Sequence, residues 1–221
     1  MDKLQKNLLM ECSLFSGINH NDLDRIINIT SAMPKSYQKG DTIIGKTDGR
    51  GRIGIVTRGK ITEHKYHIDG SSQLMKIYSR SDILGLNEAA SMMTGSPNTY
   101  TAYTDCTVVF LWYRNLVDSS YLNGDLRLAV LRNISRILAE ENIRSVHTID
   151  ILSHYTIRER IKAFLNIQQE MHKSTIFDIS MNQVQLAQYL RVNRSVLSRE
   201  LNIMRKEGLI DFKGSVYTVL Y

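Results

Sequence analysis

Only two cysteines, Cys12 and Cys106, occur in the 221 residues. Neither a disulfide framework nor a four-cysteine zinc or iron–sulfur site can therefore form within one chain. No run approaches the ~18 consecutive apolar residues of a membrane span. The opening segment is broken by Asp2, Lys3, Gln5, Lys6 and Asn7 and lacks the apolar core of a signal peptide. A reducing, cytoplasmic setting without a membrane partner is expected. No phosphate-binding Walker loop, His-Glu-x-x-His or Gly-x-Ser-x-Gly string appears, which speaks against an enzyme.

Apolar residues make up 43% of the chain, the proportion of an ordinary folded protein. The net charge is +6, and it is unevenly spread. Residues 1–118 hold 14 basic and 12 acidic side chains, and residues 119–150 hold 4 of each. Residues 151–221 hold 10 basic and 6 acidic ones. A polyanion is expected to dock on that last third.

The chain divides into three textures. Asn21–Ile27 has the pattern of a short amphipathic helix capped by Asn19 or Asn21. From Ser36, short apolar or alternating runs are split by Gly40, Asp48-Gly49, Gly59 and Asp69-Gly70. Strands are expected at 42–44, 53–57, 61–68, 74–78, 99–103 and 107–112, forming a small barrel or sandwich. Between Asp125 and Leu152 there is neither Gly nor Pro. Leu131, Ile134, Leu138, Val146, Ile149 and Leu152 recur there at helical spacing. Such a helix spans roughly 42 Å at ~1.5 Å per residue, too long to bury on a small barrel alone. Its apolar stripe calls for a second copy.

Thr156 to Glu159 reads as a capping box opening a helix with Ile157, Ile161, Phe164, Leu165 and Met171 on one face. A short strand is expected at 176–179. Ser180 to Gln183 reads as a second capping box, with Val184, Leu186, Ala187 and Leu190 facing inward. Arg191-Val192-Asn193 then separates a further helix, Arg194 to about Lys206. Two short helices joined by about three residues make a helix-turn-helix. Strand, Gly214 turn and strand behind them make a two-stranded wing.

On the second of these helices Leu197, Leu201 and Met204 share one face. Ser195, Ser198, Arg199, Asn202 and Lys206 share the other, with Arg194 at the N-terminal end. Hydroxyls, an amide and cations without a carboxylate suit base edges and phosphates in a major groove. Asn193 is the expected N-cap.

The stretch QLAQYLRVNRSVLSRELNIMRKEGLI, residues 185–210, resembles the DNA-binding signature of the Crp/Fnr superfamily of bacterial transcription regulators. YQKGDTII (37–44), VTRGKI (56–61) and SDILG (81–85) resemble the turns of that family's cyclic-nucleotide-binding β-roll. The resemblance implies an α+β chain: an N-terminal double-stranded, jelly-roll-like β-roll sensor domain over 1–122, a long dimerisation helix over 123–153, and a C-terminal winged helix-turn-helix over 154–221. It implies a homodimer on double-stranded DNA with a palindromic operator, contact with RNA polymerase, and a small-molecule effector of unknown identity. Carried over by position, Arg194, Ser195, Ser198 and Arg199 become base or phosphate readers. An effector in the roll would re-aim the winged helices about a hinge near His154–Thr156.

Departures from the family pattern matter. Arg191 stands where Gly is common, which predicts a tighter or less regular turn. Ser195 stands where many members carry Glu, so the operator departs from the common consensus. Cyclic-AMP-binding members use Gly-Glu and then Arg-Ser or Arg-Thr, whereas here Gly85 is followed by Leu86. No Lys or Arg occurs from Ser81 to Tyr113, and a buried phosphate needs a charge partner. Arg50, Arg52 or Arg58 from another strand is the alternative cation for a non-standard cyclic-nucleotide pocket. Otherwise the loop 85–100, with Gly85, Leu86, Asn87, Thr99 and Tyr100, is expected to line a pocket for an apolar or neutral effector. The cofactor is unknown. A haem or redox sensor on the same scaffold would draw on His64, His67, Met92 and Met93, or on Cys12 and Cys106.

Overall fold

The computed structural model describes residues 3–45, 51–68, 70–92, 96–122 and 124–221. The expected turn at Asp48-Gly49, half of that at Asp69-Gly70, and Arg50, Met93 and Asn123 lie outside the described residues. The chain forms two compact units, Met1–Glu141 and Asn142–Tyr221.

The first unit opens with α1 (Lys3–Met10), a 3-10 turn (Ser13–Phe15) and α2 (His20–Ile29). Asn19 caps α2 by accepting from the Asp22 amide at 2.9 Å. Among the described residues eight strands follow: β1 (Met33–Tyr37), β2 (Thr42–Ile44), β3 (Arg52–Arg58), β4 (Ile61–Tyr66), β5 (Ser72–Tyr78), β6 (Ile83–Leu84), β7 (Thr99–Ala102) and β8 (Cys106–Trp112). The short α3 (Leu86–Ala90) precedes β7, and α4 (Tyr113–Val117) and α5 (Gly124–Ser153) follow β8. The strands form two antiparallel four-stranded sheets, ordered β1-β8-β3-β6 and β2-β7-β4-β5. This is the expected double-sheeted roll.

Side-chain alternation along β3 and β8 divides the interior. Ile53, Ile55, Val109 and Leu111 pack with α1, α2 and Val130, Ile134 and Ile137 of α5. Val56 and Val108 point the other way, into the roll with Ile61, Tyr78, Tyr100 and Ala102. Both strands are buried on two faces, so their sequences read as continuous apolar runs. At the β3–β4 turn, Gly59 holds φ +84°, and a Cβ there would lie 2.3 Å from the Asp105 carbonyl oxygen.

Several sequence expectations need correction here. β1 was missed because Pro34 interrupts its pattern; it occupies a sheet edge, where proline is tolerated. β6, α1 and α3 were missed as well, and α3 begins inside the expected loop. β4 ends at Tyr66, so His67 lies beyond the strand. The apolar positions of α5 do not share one partner. Ile134 is buried against the roll, whereas Val146 and Ile149 are exposed.

The second unit contains α6 (Ile157–His172), β9 (Ile176–Asp178), α7 (Gln183–Tyr189), α8 (Arg194–Lys206), β10 (Ile210–Lys213) and β11 (Val216–Val219). The Thr156–Glu159 capping box is formed. The second box lies two residues later than expected. The Asn182 side chain accepts from the Gln185 amide, and the Gln185 side chain accepts from the Asn182 amide, both at 2.9 Å. Ser180 has φ +55°, outside the extended conformation of an N-cap. Gln185 is therefore buried and Val184 exposed, while Leu186, Ala187 and Leu190 of the expected inward set are buried. Met171 is likewise exposed rather than on the inner face. The wing gains a third strand, in the order β10-β11-β9.

The last turns of α5 belong to this second unit. Ile151 is buried in its core, and the Thr148 and Tyr189 hydroxyls are 2.9 Å apart. Arg160 donates to the His154 carbonyl at 2.8 Å and to the Leu190 carbonyl at 3.3 Å. The segment expected as a hinge is thus tied to the helix-turn-helix.

Candidate nucleic-acid interface

Three contacts set α8 in place. Leu197, Leu201 and Met204 are fully buried with Ala187 of α7, Leu190 at its C-terminal cap and Phe164 of α6. At the turn, the Arg191 amide donates to Gln188 O and the Val192 amide to Ala187 O, at 3.2 and 3.0 Å. This is a regular paired closure of a helix end, with Arg191 at φ +55° in the left-handed position where Gly is favoured. The expectation of an irregular turn is corrected: Arg191 adopts the glycine conformation. The other end of α8 closes the same way through Gly208.

The outward face follows from that packing. Arg194, Ser195, Arg199, Asn202 and Lys206 are exposed, and Ser198 is half-buried. Asn202 donates one amide hydrogen to the Ser198 carbonyl at 2.8 Å, and its side-chain oxygen is an acceptor. Asn193 occupies the N-cap position but makes no side-chain cap hydrogen bond. No acidic residue lies in the first turn, so nothing there opposes the positive end of the helix dipole.

The carboxylates at α8 are drawn elsewhere. Arg158 of α6 donates to Glu200 at 2.6 Å and grips Glu207 with both terminal nitrogens at 2.9 and 3.1 Å. Two parallel bonds to one carboxylate fix the guanidinium. Arg205 is also committed: it pairs with Asp211, donates to the Phe212 carbonyl at 3.0 Å and lies 4.8 Å from the Phe212 ring centre. It braces the wing. Sequence reasoning missed Lys213, exposed where β10 meets the Gly214 turn. The Lys-Gly pair ending a strand was the available signal.

The roll interior has a different character. Leu86 packs on the helix side of the first sheet, Tyr100 inside the roll, and Asn87 is exposed. Gly85 caps α3 at φ +70°, and Thr99 is half-buried. What converges in the roll is a polar network. Tyr78 donates to Glu63 at 2.7 Å, and Asn98 donates to its other oxygen. Ser96 and Tyr100 donate to Glu88 at 2.7 and 3.0 Å. Lys76 lies 4.5 Å from the Tyr78 ring centre but pairs with Glu141 of α5. Arg52 is stacked on Trp112, 4.3 Å from its ring centre, and Arg58 is exposed at the end of β3. The network presents carboxylates, which repel a phosphate.

Burial pushes the Glu63 carboxyl above the usual range, against the hydrogen bonds from Tyr78 and Asn98. Ionising it therefore costs the folded state more than the unfolded chain. That destabilisation is absent at low pH, where both states are protonated, and grows as pH rises through the raised folded value. Glu63→Gln keeps an acceptor for one donor and removes the charge. The stability of Glu63→Gln relative to the parent is expected to increase from pH 4.5 to pH 8 in urea unfolding. A pH-independent difference would contradict this account.

The candidate sensor chemistries scatter. Cys12 lies in the helix-side core, its thiol pushed up to about 12 by burial, and Cys106 lies in the roll. Neither has the exposed thiolate character of a reactive cysteine. His64 is half-buried, His67 lies beyond β4, and Met92 is exposed.

Residues 159–220 match the family described as Crp-like helix-turn-helix domain, and residues 34–118 match the cyclic nucleotide-binding domain. The chain is 24% identical over 210 residues to electron transport regulator A of Shewanella oneidensis, covering 92% of this chain and 80% of that one. It is 25% identical over 216 residues to the probable transcriptional regulator flp of Lacticaseibacillus casei, covering 94% and 91%. Its fold resembles the structure of a CooA mutant from Carboxydothermus hydrogenoformans, with a TM-score of 0.71 at 17% identity, covering 88% and 86%. Among the described residues, no helix is long and apolar enough to cross a membrane.

Proposed function

This chain belongs to the Crp/Fnr superfamily of DNA-binding transcription regulators, and from that premise we propose that it acts as a homodimer in the cytoplasm, each α8 entering one major groove of a two-fold operator. The observation that carries this reading is the outward face of α8: exposed cations and the exposed Ser195 hydroxyl, with Glu200 and Glu207 held by Arg158. Arg194, Ser195, Ser198 and Arg199 are the proposed readers, with Asn202 and Lys206 beside them. Arg191 and Lys213 are proposed phosphate contacts. RNA polymerase is the proposed protein partner, by family resemblance, and no catalytic activity is proposed.

Dimerisation is assigned to the outer face of α5. Leu128 lies there, roughly 160° around the helix from Val130, which is buried against the roll, and Ile143 and Val146 are exposed apolar residues of the later turns. Two such faces form an apolar seam. The effector, where one acts, is proposed to be something other than a cyclic nucleotide in the usual mode, because Glu63 and Glu88 occupy the roll interior.

Selecting duplexes from a random pool with the full chain tests the proposal. Two inverted half-sites are expected, their centres about one helical turn (~10 base pairs) apart. Affinity is expected to fall steeply with salt as phosphate counterions are released. Enrichment of no sequence, or of single unpaired half-sites, would overturn it.

A further inference from the structure

Among the described residues of α8, Val196 is the one large apolar side chain that is exposed, at 47%. It belongs to neither the core of the winged helix nor the partly buried set around it. A β-branched residue is also a poorer helix former than alanine. Neither packing nor propensity accounts for it.

Its position does. Val196 follows Ser195 directly and precedes Arg199 by three, so Val196 and Arg199 are surface neighbours one turn apart. Side chains lean toward the helix N-terminus, the end that recognition helices present to the groove. A valine can neither donate to a phosphate nor bond a base edge. The one apolar feature in the major groove is the C5-methyl group of thymine.

Building on the α8 reading above, we propose that Val196 reads a thymine methyl next to the base pair that Arg199 contacts. The operator then favours thymine at that step through its methyl group, which neither donates nor accepts a hydrogen bond. Loss of one methyl contact is expected to weaken binding about fourfold per half-site, equivalent to roughly 0.8 kcal/mol. In a two-fold complex the effect is about fifteenfold if the half-sites act independently.

The test uses full-length protein and duplexes enriched from a random pool, resynthesised with each half-site thymine replaced in turn by deoxyuridine. One position per half-site is expected to show the fourfold loss with the parent protein. Val196→Ser is expected to bind the thymine and deoxyuridine duplexes equally at that position. Val196→Ala, which shortens the side chain while favouring helix, is expected to do the same. A folding defect in one variant therefore does not hide the result. If no thymine is sensitive, or if the sensitivity survives both substitutions, the Val196 assignment falls. An enriched, salt-sensitive site would still support reading by α8 in that case. Failure to enrich any duplex would remove both.

Discussion

Arg199→Ala abolishes operator recognition and leaves the fold and the association state intact. The expectation follows from where the guanidinium sits. Arg199 is exposed on the outer face of α8, while the arginines that hold the winged helix together, Arg158, Arg160 and Arg205, are engaged with Glu200, His154 and Asp211. Removing it leaves no buried partner unpaired, so urea unfolding should move little. Its fork of donors matches the O6 and N7 edge of guanine, a contact worth ~1–3 kcal/mol of discrimination. A homodimer makes that contact twice, so the loss is expected to be about 2–6 kcal/mol, roughly 30-fold to 10⁴-fold in Kd. Residual binding should resemble that to random DNA. Arg199→Lys should not restore recognition, because a single ammonium cannot reproduce two parallel bonds. Titration of selected and scrambled duplexes measures both. Specific binding within about fivefold of the parent, on the order of 1 kcal/mol, would remove Arg199 from the reading face.

The reading helix was legible because its pattern is local. Leu197, Leu201 and Met204 set the buried face, and the outward polar set follows from helical periodicity. The start of α7 was less legible for an equally local reason. Ser180-to-Gln183 and Asn182-to-Gln185 both satisfy a capping pattern, and only the left-handed backbone at Ser180 decides between them. The roll network was not legible at all. Glu63 and Asn98 are 35 positions apart, and Glu88 and Tyr100 lie on separate elements. Strand pairing sets Glu63 opposite Tyr100, and α3 carries Glu88 to the Tyr100 hydroxyl. The lack of Lys and Arg between Ser81 and Tyr113 marked the site as unsuited to phosphate, but not as a site holding carboxylates. The two-sided character of α5 was hidden in the same way. Its apolar residues look like one interrupted stripe until the roll claims Val130, Ile134 and Ile137.

That division of α5 leads to the other large effect. Val146 is 56% exposed on α5, among the residues assigned to the subunit seam. Substituting glutamate there should leave the isolated subunit folded, since glutamate is a good helix former and displaces no packing. Across a two-fold seam, however, each residue near the axis meets its own copy. Val146→Glu places two carboxylates together in an apolar interface, where desolvation and mutual repulsion cost several kcal/mol. Sedimentation should show monomers at concentrations where the parent is dimeric. Operator affinity should fall by about a thousandfold, because two half-sites bound independently lose the advantage of linkage. Mixing Val146→Glu with Val146→Lys should restore a dimer by pairing opposite charges, something a folding defect in either variant would not permit. A Val146→Glu protein that remains dimeric and binds the selected operator like the parent would place the subunit interface elsewhere than on this face of α5.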